Sequence, residues 1–417
     1  MKNIPIIMTL ILALTISALV QAQDEKRLTT IQLTDRIYQI SVDEGEYTTN
    51  TLVSVGDDGI LIVDTQNEAE AEELKQIIDS FDKGGPKFII NTHRHVEHIG
   101  GNAIFGTEPV VITHALYPSK LTTGSYIFEE YPPATYPDIT LADSLSLFFN
   151  GEKIRIIEMG GSHDDNEIIV HFTDSKIVHL SFLVNGFNFP SIDSDGDVFK
   201  FPELLRKAIE LLPEDVTIVS GHNGHGTWSD LHDYLDMLVS TTAIVKEGLD
   251  AGKDLATLQE EHVLDEWKSY AGSYVSVNEW IEYLVKGFEN KGTPKKKSIY
   301  EPLYHAIKEG GLEAGISLYH DIKNKNADDY ELSDVNLLII ANKYLARDKI
   351  SDVIRLLELN ISEYPSGDYC YYSHYLLAQA YNEQGNKEKA VYNCEKSIEL
   401  KSEFGGAVEL LEKIKGN

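Results

Sequence analysis

Cysteine is nearly absent: the 417 residues contain 2, Cys370 and Cys394. A disulfide framework therefore does not hold this fold together, and the pair is expected as reduced thiols in apolar packing. Basic residues are outnumbered, 36 Lys and Arg against 67 Asp and Glu, giving a formal charge of −31. Such a charge repels phosphate backbones and anionic lipid, so neither nucleic acid nor a membrane surface is expected as a partner. The basic run Lys295-Lys296-Lys297 is too short to offset it. Also missing are a Gly-x-Gly-x-x-Gly turn, a Gly-Lys-Ser/Thr phosphate loop and a Gly-x-Ser-x-Gly elbow, which removes the common nucleotide-binding and serine-hydrolase signatures. What is there is globular: 42% hydrophobic and 25% charged residues, in a chain long enough for two or three domains.

The first 22 residues differ in kind. Lys2 precedes an apolar stretch from Ile4 to Val20, which ends in the small-residue pattern Val20-Gln21-Ala22. This reads as a secretory signal, so an exported protein, periplasmic or secreted, is expected. No cysteine stands at the junction to take a lipid. Cleavage would remove one lysine, leaving 35 − 67 = −32.

Short strands alternating with helices are expected from Leu28 to Ile244. Apolar runs at Thr51–Val55 and Ile60–Val63 flank Gly56-Asp57-Asp58-Gly59, a hairpin signal. Glu68–Phe81 has helical periodicity, and Lys87–Asn91, Lys153–Ile157, Ile168–Phe172, Lys176–Leu180 and Val216–Val219 read as strands. Phe201–Leu212 reads as a helix stopped by Pro213. The expected class is α+β, with hairpins first and helices later. Residues 245–291 read as a helical extension, and Gly292–Ser298 as a linker. From 299 to 417 a spacing of 9, 4 and 3 recurs at His305/Ala314/Leu318/Asp321, Tyr344/Val353/Leu357/Asn360 and Tyr381/Ala390/Cys394/Ser397. Turn-forming residues, Gly310-Gly311, Arg347-Asp348 and Gly385-Asn386, divide each unit. The pattern resembles tetratricopeptide repeats, which would make this an all-α repeat domain whose concave face takes a protein or peptide partner.

Ten of the 14 histidines fall between His93 and His232. The densest group is Asn91-Thr92-His93-Arg94-His95-Val96-Glu97-His98-Ile99-Gly100-Gly101-Asn102, directly after a predicted strand. Three imidazoles and a carboxylate in one loop suit a zinc ion. The loop resembles the His-x-His-x-Asp-His signature of the metallo-β-lactamase-fold superfamily. The resemblance spans residues 28–244 and rests on an ordered series: Asp64 after the strand from Ile60, Gly160-Gly161-Ser162-His163, and Ser220-Gly221-His222. It implies an αββα sandwich and a first metal site of His93, His95 and His163. Glu97, His98 and His222 would serve a second metal, with Asp64 supporting the loop. His225 is a weaker substitute for His222, and His171 and His179 are expected to pack or to support ligands.

Two residues depart from that pattern. Glu97 stands where the family has aspartate, and Phe182 where it has an aspartate or cysteine completing the second site. Phenylalanine cannot ligate. Asp193, Asp195 and Asp197 follow in an Asp-Gly loop with no spacing argument for reaching the site. One zinc is therefore expected, with the second ligand set able to take another, and Glu97 is expected as a proton shuttle or water orienter. The resemblance implies a hydrolase in which zinc lowers the pKa of its water to about 7 for attack on an amide, lactam, lactone or ester carbonyl. The competing expectation is an inactive scaffold whose repeats bind the partner. Tyr117, Tyr126, Phe128, Tyr131 and Tyr136 mark an aromatic-rich segment suited to a flap.

Overall fold

A computed structural model describes residues 28–43, 48–122, 132–193, 196–272, 274–291, 297–345, 349–367, 369–401 and 404–416. The signal-like residues 1–22, together with Tyr126, Phe128, Tyr131, Asp195 and linker residues 292–296, lie outside them. Among the described residues the chain divides into two units, one of residues 28–118 and 132–291 and one of residues 119–122 and those from 297 on.

In the first unit, strands β1 (Leu28–Gln32), β2 (Ile37–Asp43), β3 (Thr48–Gly56), β4 (Gly59–Val63), β5 (Pro86–Ile90), β6 (Val110–His114) and β7 (Ile139–Leu141) form one seven-stranded sheet in that order. Antiparallel pairing gives way to parallel pairing at β4, β5, β6 and β7. Strands β8 (Ser144–Phe149), β9 (Glu152–Glu158), β10 (Ile168–Phe172), β11 (Ile177–His179), β12 (Thr217–Val219) and β13 (His225–Gly226) form a six-stranded sheet in reverse order.

The two-residue period of a strand sorts its side chains between layers. In β4, Leu61 and Val63 join Ile154, Ile156, Val170 and Phe172 in a core between the sheets. Ile60 and Ile62 face the other way and pack with Leu74 and Ile78 of the helix Glu68–Ser80. On the outer face of the second sheet, Ile169, Val178 and Ile218 pack with residues of the helices Lys200–Leu211, Trp228–Asp250 and Val277–Asn290. The result is helix, sheet, sheet, helix, the expected αββα sandwich.

One boundary needs correction. The helical extension expected at 245–291 is part of that outer layer. Helix Trp228–Asp250 runs through residue 245, and Trp280, Ile281, Leu284 and Val285 share a core with Val178 and Leu205. Polar composition hid this, because only one stripe of each helix is apolar.

The second unit is helical: hairpins Tyr300–Gly310/Leu312–Lys325, Asp334–Leu345/Ile350–Glu363 and Cys370–Glu383/Lys387–Leu400, then Gly405–Gly416. Val353, Leu357, Tyr381, Ala390 and Cys394, five of the positions that the recurrent spacing marks, are buried in its core, whereas His305 and Asp321 of the first unit are exposed. Lys297–Ser298, read as linker, instead pairs in parallel with Tyr330–Glu331. Cys370 and Cys394 are buried free thiols. No helix among the described residues is long and apolar enough to cross a membrane.

Candidate metal centre

The carboxyl ends of β4 and β5 and the turns of the second sheet bring the expected ligands together. Asp64 follows β4 with φ at +61°, a left-handed conformation that Asp tolerates better than most residues. Its fully buried carboxylate accepts from Thr92 N at 2.8 Å, Thr92 Oγ1 at 2.8 Å and His98 Nδ1 at 2.7 Å. Three hydrogen bonds thus tie Asp64 to the loop that carries His93, His95 and His98.

His93, His95 and His163 offer ring nitrogens that lie within 4.8 Å of one another. In each ring one nitrogen is anchored and the other faces the shared space. His163 Nδ1 donates to Ser191 O at 2.9 Å, so Nε2 turns inward, 3.4 Å from His95 Nδ1. His95 Nε2 pairs with Asp193 Oδ2 at 2.8 Å, leaving Nδ1 for the centre. His93 Nδ1 lies 3.2 Å from Thr92 Oγ1 and 3.4 Å from Ser181 Oγ, whereas its buried Nε2 has no hydrogen-bond partner among the described residues. An unpartnered buried imidazole nitrogen beside two others could hold a metal ion.

Glu97, His98 and His222 form a second group, with His98 Nε2 and His222 Nε2 3.2 Å apart. Glu97 lies between the groups, 3.7 Å from His95 Nδ1. Phe182 is buried among the rings: it stacks on His163 and meets His93 and His222 edge-on.

Electrostatics separate the histidines. Burial and the neighbouring His98, His95 and His163 hold His93 well below its ordinary value. His163 falls to about 3, through burial and the charge of His95. Burial alone would also lower His95, but the Asp193 hydrogen bond and the Glu97 carboxylate raise it to about 10. Glu97, despite burial that would raise it, is held far down by His95, with His98 adding to the effect. Without a metal, His95 is an imidazolium between two carboxylates.

Asp193 is one of the three loop aspartates for which the sequence offered no spacing argument. It reaches the site, though from behind His95 and not from the metal side. His179 donates no metal-facing nitrogen: Nδ1 accepts from Ser181 N at 3.2 Å and Nε2 lies 3.4 Å from Asn50 O. His171 lies outside the cluster, buried beside Arg155 on β9. His225 is exposed in β13. Of the aromatic segment, Tyr117 is buried, with its hydroxyl 3.4 Å from Thr135 O, while Tyr136 is exposed.

No protein-family profile matches the chain. Among solved structures it is similar to a metallo-beta-lactamase from Pontibacter korlensis, at 20% identity and a TM-score of 0.45, over 51% of this chain and 98% of that one. It is also similar to VMB-1, at 18% identity and 0.44 over 52% and 99%, and to the DIM-1 metallo-beta-lactamase, at 18% and 0.43 over 52% and 98%. The structural neighbours are metallo-β-lactamases. They cover the N-terminal half, and the C-terminal half is helical. At this identity the likeness concerns the fold; the chemistry has to be argued from the side chains.

Proposed function

We propose that this protein is a metal-dependent hydrolase holding zinc on His93, His95 and His163 and acting on the carbonyl of an amide, lactam, lactone or ester. The convergence of His93 Nε2, His95 Nδ1 and His163 Nε2, each with its other nitrogen anchored, is the observation that carries it. Three imidazoles and one open position make a competent catalytic zinc site. Zinc bound there supplies Lewis acidity and an activated water. The chain's own residues supply the rest. Thr92 and Ser181 orient His93, Asp193 orients His95, and the Ser191 carbonyl orients His163. Glu97, 3.7 Å from the inward-facing Nδ1 of His95, is the proposed proton shuttle.

A single ion is proposed because Phe182 occupies the space shared by His163 and His222. Glu97, His98 and His222 are then left without a bridging side chain to share between two ions. The same ring supports a second reading, an inactive scaffold whose helical unit binds a protein or peptide. Export is proposed from residues 1–22 alone, with a small-molecule substrate met outside the cytoplasm.

Zinc per chain in protein purified without chelators tests the reading, alongside hydrolysis of lactam, lactone and ester panels. About one zinc, with zinc and hydrolysis both lost in His95→Ala, is expected. Protein that stays metal-free after zinc is added back would leave the scaffold reading.

A further inference from the structure

Arg94 stands between two of the ligands in sequence, and its partly exposed side chain turns its guanidinium to two carboxylates. Its Nε lies 2.9 Å from Asp164 Oδ2, and its Nη2 lies 3.0 Å from Asp193 Oδ2. Asp164 is fully buried and follows the ligand His163; its other oxygen accepts from Asn166 N at 2.7 Å. Asp193 Oδ2 is the same atom that holds His95 Nε2. The backbone closes the circuit, because Asp193 N donates to His163 O at 2.9 Å.

From this geometry we infer that Arg94 is a positioning residue: its fork ties the three segments that carry His93 and His95, His163, and Asp193, and so sets how tightly the centre holds its metal. The inference rests on the zinc site proposed above. A guanidinium suits the task because it is planar, permanently charged and able to serve two carboxylates at fixed angles. It has a second effect. His95, Asp164 and Asp193 also offer ligand atoms within 4.8 Å of one another. The fixed positive charge of Arg94 offsets part of the charge of both carboxylates, which would otherwise compete more strongly with the three histidines for a divalent ion. A lysine would keep the charge but, as a point donor, could not hold both carboxylates in the same geometry.

The experiment is a zinc dissociation constant for the folded full-length protein, by competition with a chromophoric chelator, in wild type, Arg94→Lys and Arg94→Ala. Folding is followed by circular dichroism, and the cobalt-substituted absorption spectrum is a second readout of ligand geometry. Both variants are expected to bind zinc about 10–100-fold more weakly, the usual effect of losing an outer partner of a ligand, with an altered cobalt band. A merely structural role would lower the melting temperature and leave zinc affinity alone; Arg94→Lys within twofold of wild type overturns the inference. Should the Arg94 variants not fold, Asp164→Asn removes one arm of the fork, and a several-fold loss is expected there. Unchanged affinity in it would also overturn the proposal. Failure of the underlying reading looks different: wild-type protein would itself hold no zinc, or His93→Ala would bind as well as wild type.

Discussion

The ring of Phe182 lies flat on the imidazole of His163, with centroids 3.7 Å apart and planes 12° from parallel. The same ring is 6.1 Å from His93 and 5.1 Å from His222, so it touches both candidate ligand sets. Its backbone N–H donates to Glu167 Oε1 at 3.1 Å, which fixes the turn that presents it. An apolar ring in that place excludes any side chain able to share an ion between the two sets.

Phe182→Asp is therefore expected to raise bound zinc from about one to about two per chain. Losing a fully packed aromatic should cost roughly 3–5 kcal/mol of metal-free stability. Elemental analysis of the folded variant decides the matter. A count that stays at one would mean that Phe182 is not what limits the second site.

The proton on His95 gives a second expectation. With its value raised to about 10 by Asp193 and Glu97, His95 carries a proton at neutral pH that a metal must displace. His163, lowered to about 3, and His93, lowered by burial, carry none. Zinc uptake at pH 7 should thus release about one proton, and affinity should rise about tenfold per pH unit between pH 6 and 8. Calorimetry in buffers of different ionisation enthalpy counts that proton, and a value near zero would contradict the raised His95.

Much of this centre was legible in the sequence. His93, His95, Glu97 and His98 fall within one short loop, and strand periodicity placed them after β5. Phe182 was found by counting through two strands whose lengths the apolar runs fixed. Asp193 was not legible, because it meets His95 across 98 residues of chain and sits in an Asp-Gly loop that looks like any solvated turn. The helix Trp228–Asp250 escaped for another reason: its apolar residues form one stripe, and much of the core it joins, such as Ile157, Ile169 and Val178, comes from strands far back in the sequence. Long-range partners decide such positions, and local pattern does not contain them.

Gly196 belongs to the same hidden part. A Cβ there would stand 2.3 Å from His163 O and 2.4 Å from Ser162 O, backbone atoms that cannot step aside. Asp197 N donates to Ser162 O at 2.7 Å and Asp193 N to His163 O, so this loop lies directly on the His163 turn. Gly196→Ala is expected to cost about 1–3 kcal/mol through overpacking. It should also weaken zinc at least tenfold by moving Ser191 and Asp193 away from their histidines. Chelator competition and thermal unfolding, run together, would show stability and affinity falling in step; an unaltered zinc affinity would separate the loop from the site.

Glu167 supplies the last expectation, one that needs no metal. Its buried carboxyl receives Ser162 Oγ at 3.0 Å, Ser181 Oγ at 3.3 Å and Phe182 N. Burial, reinforced by the charge of Asp164, nevertheless pushes it up to about 8. A carboxyl whose folded value exceeds its unfolded one favours folding below the unfolded value, about 4.5, and that contribution is lost as pH rises through 8. Buried neutral histidines act in the opposite sense, losing stability as pH falls below 6.5 through their lowered values, about 4 for His179 and about 3 for His163. Wild type alone would blur the two, so the comparison with Glu167→Gln is the informative one. The variant's stability relative to wild type should rise by something on the order of 4 kcal/mol between pH 4.5 and 8. Urea unfolding of metal-free protein across that range measures it. A difference that stays flat with pH would mean that Glu167 ionises normally and that Ser162, Ser181 and the Phe182 amide solvate its charge.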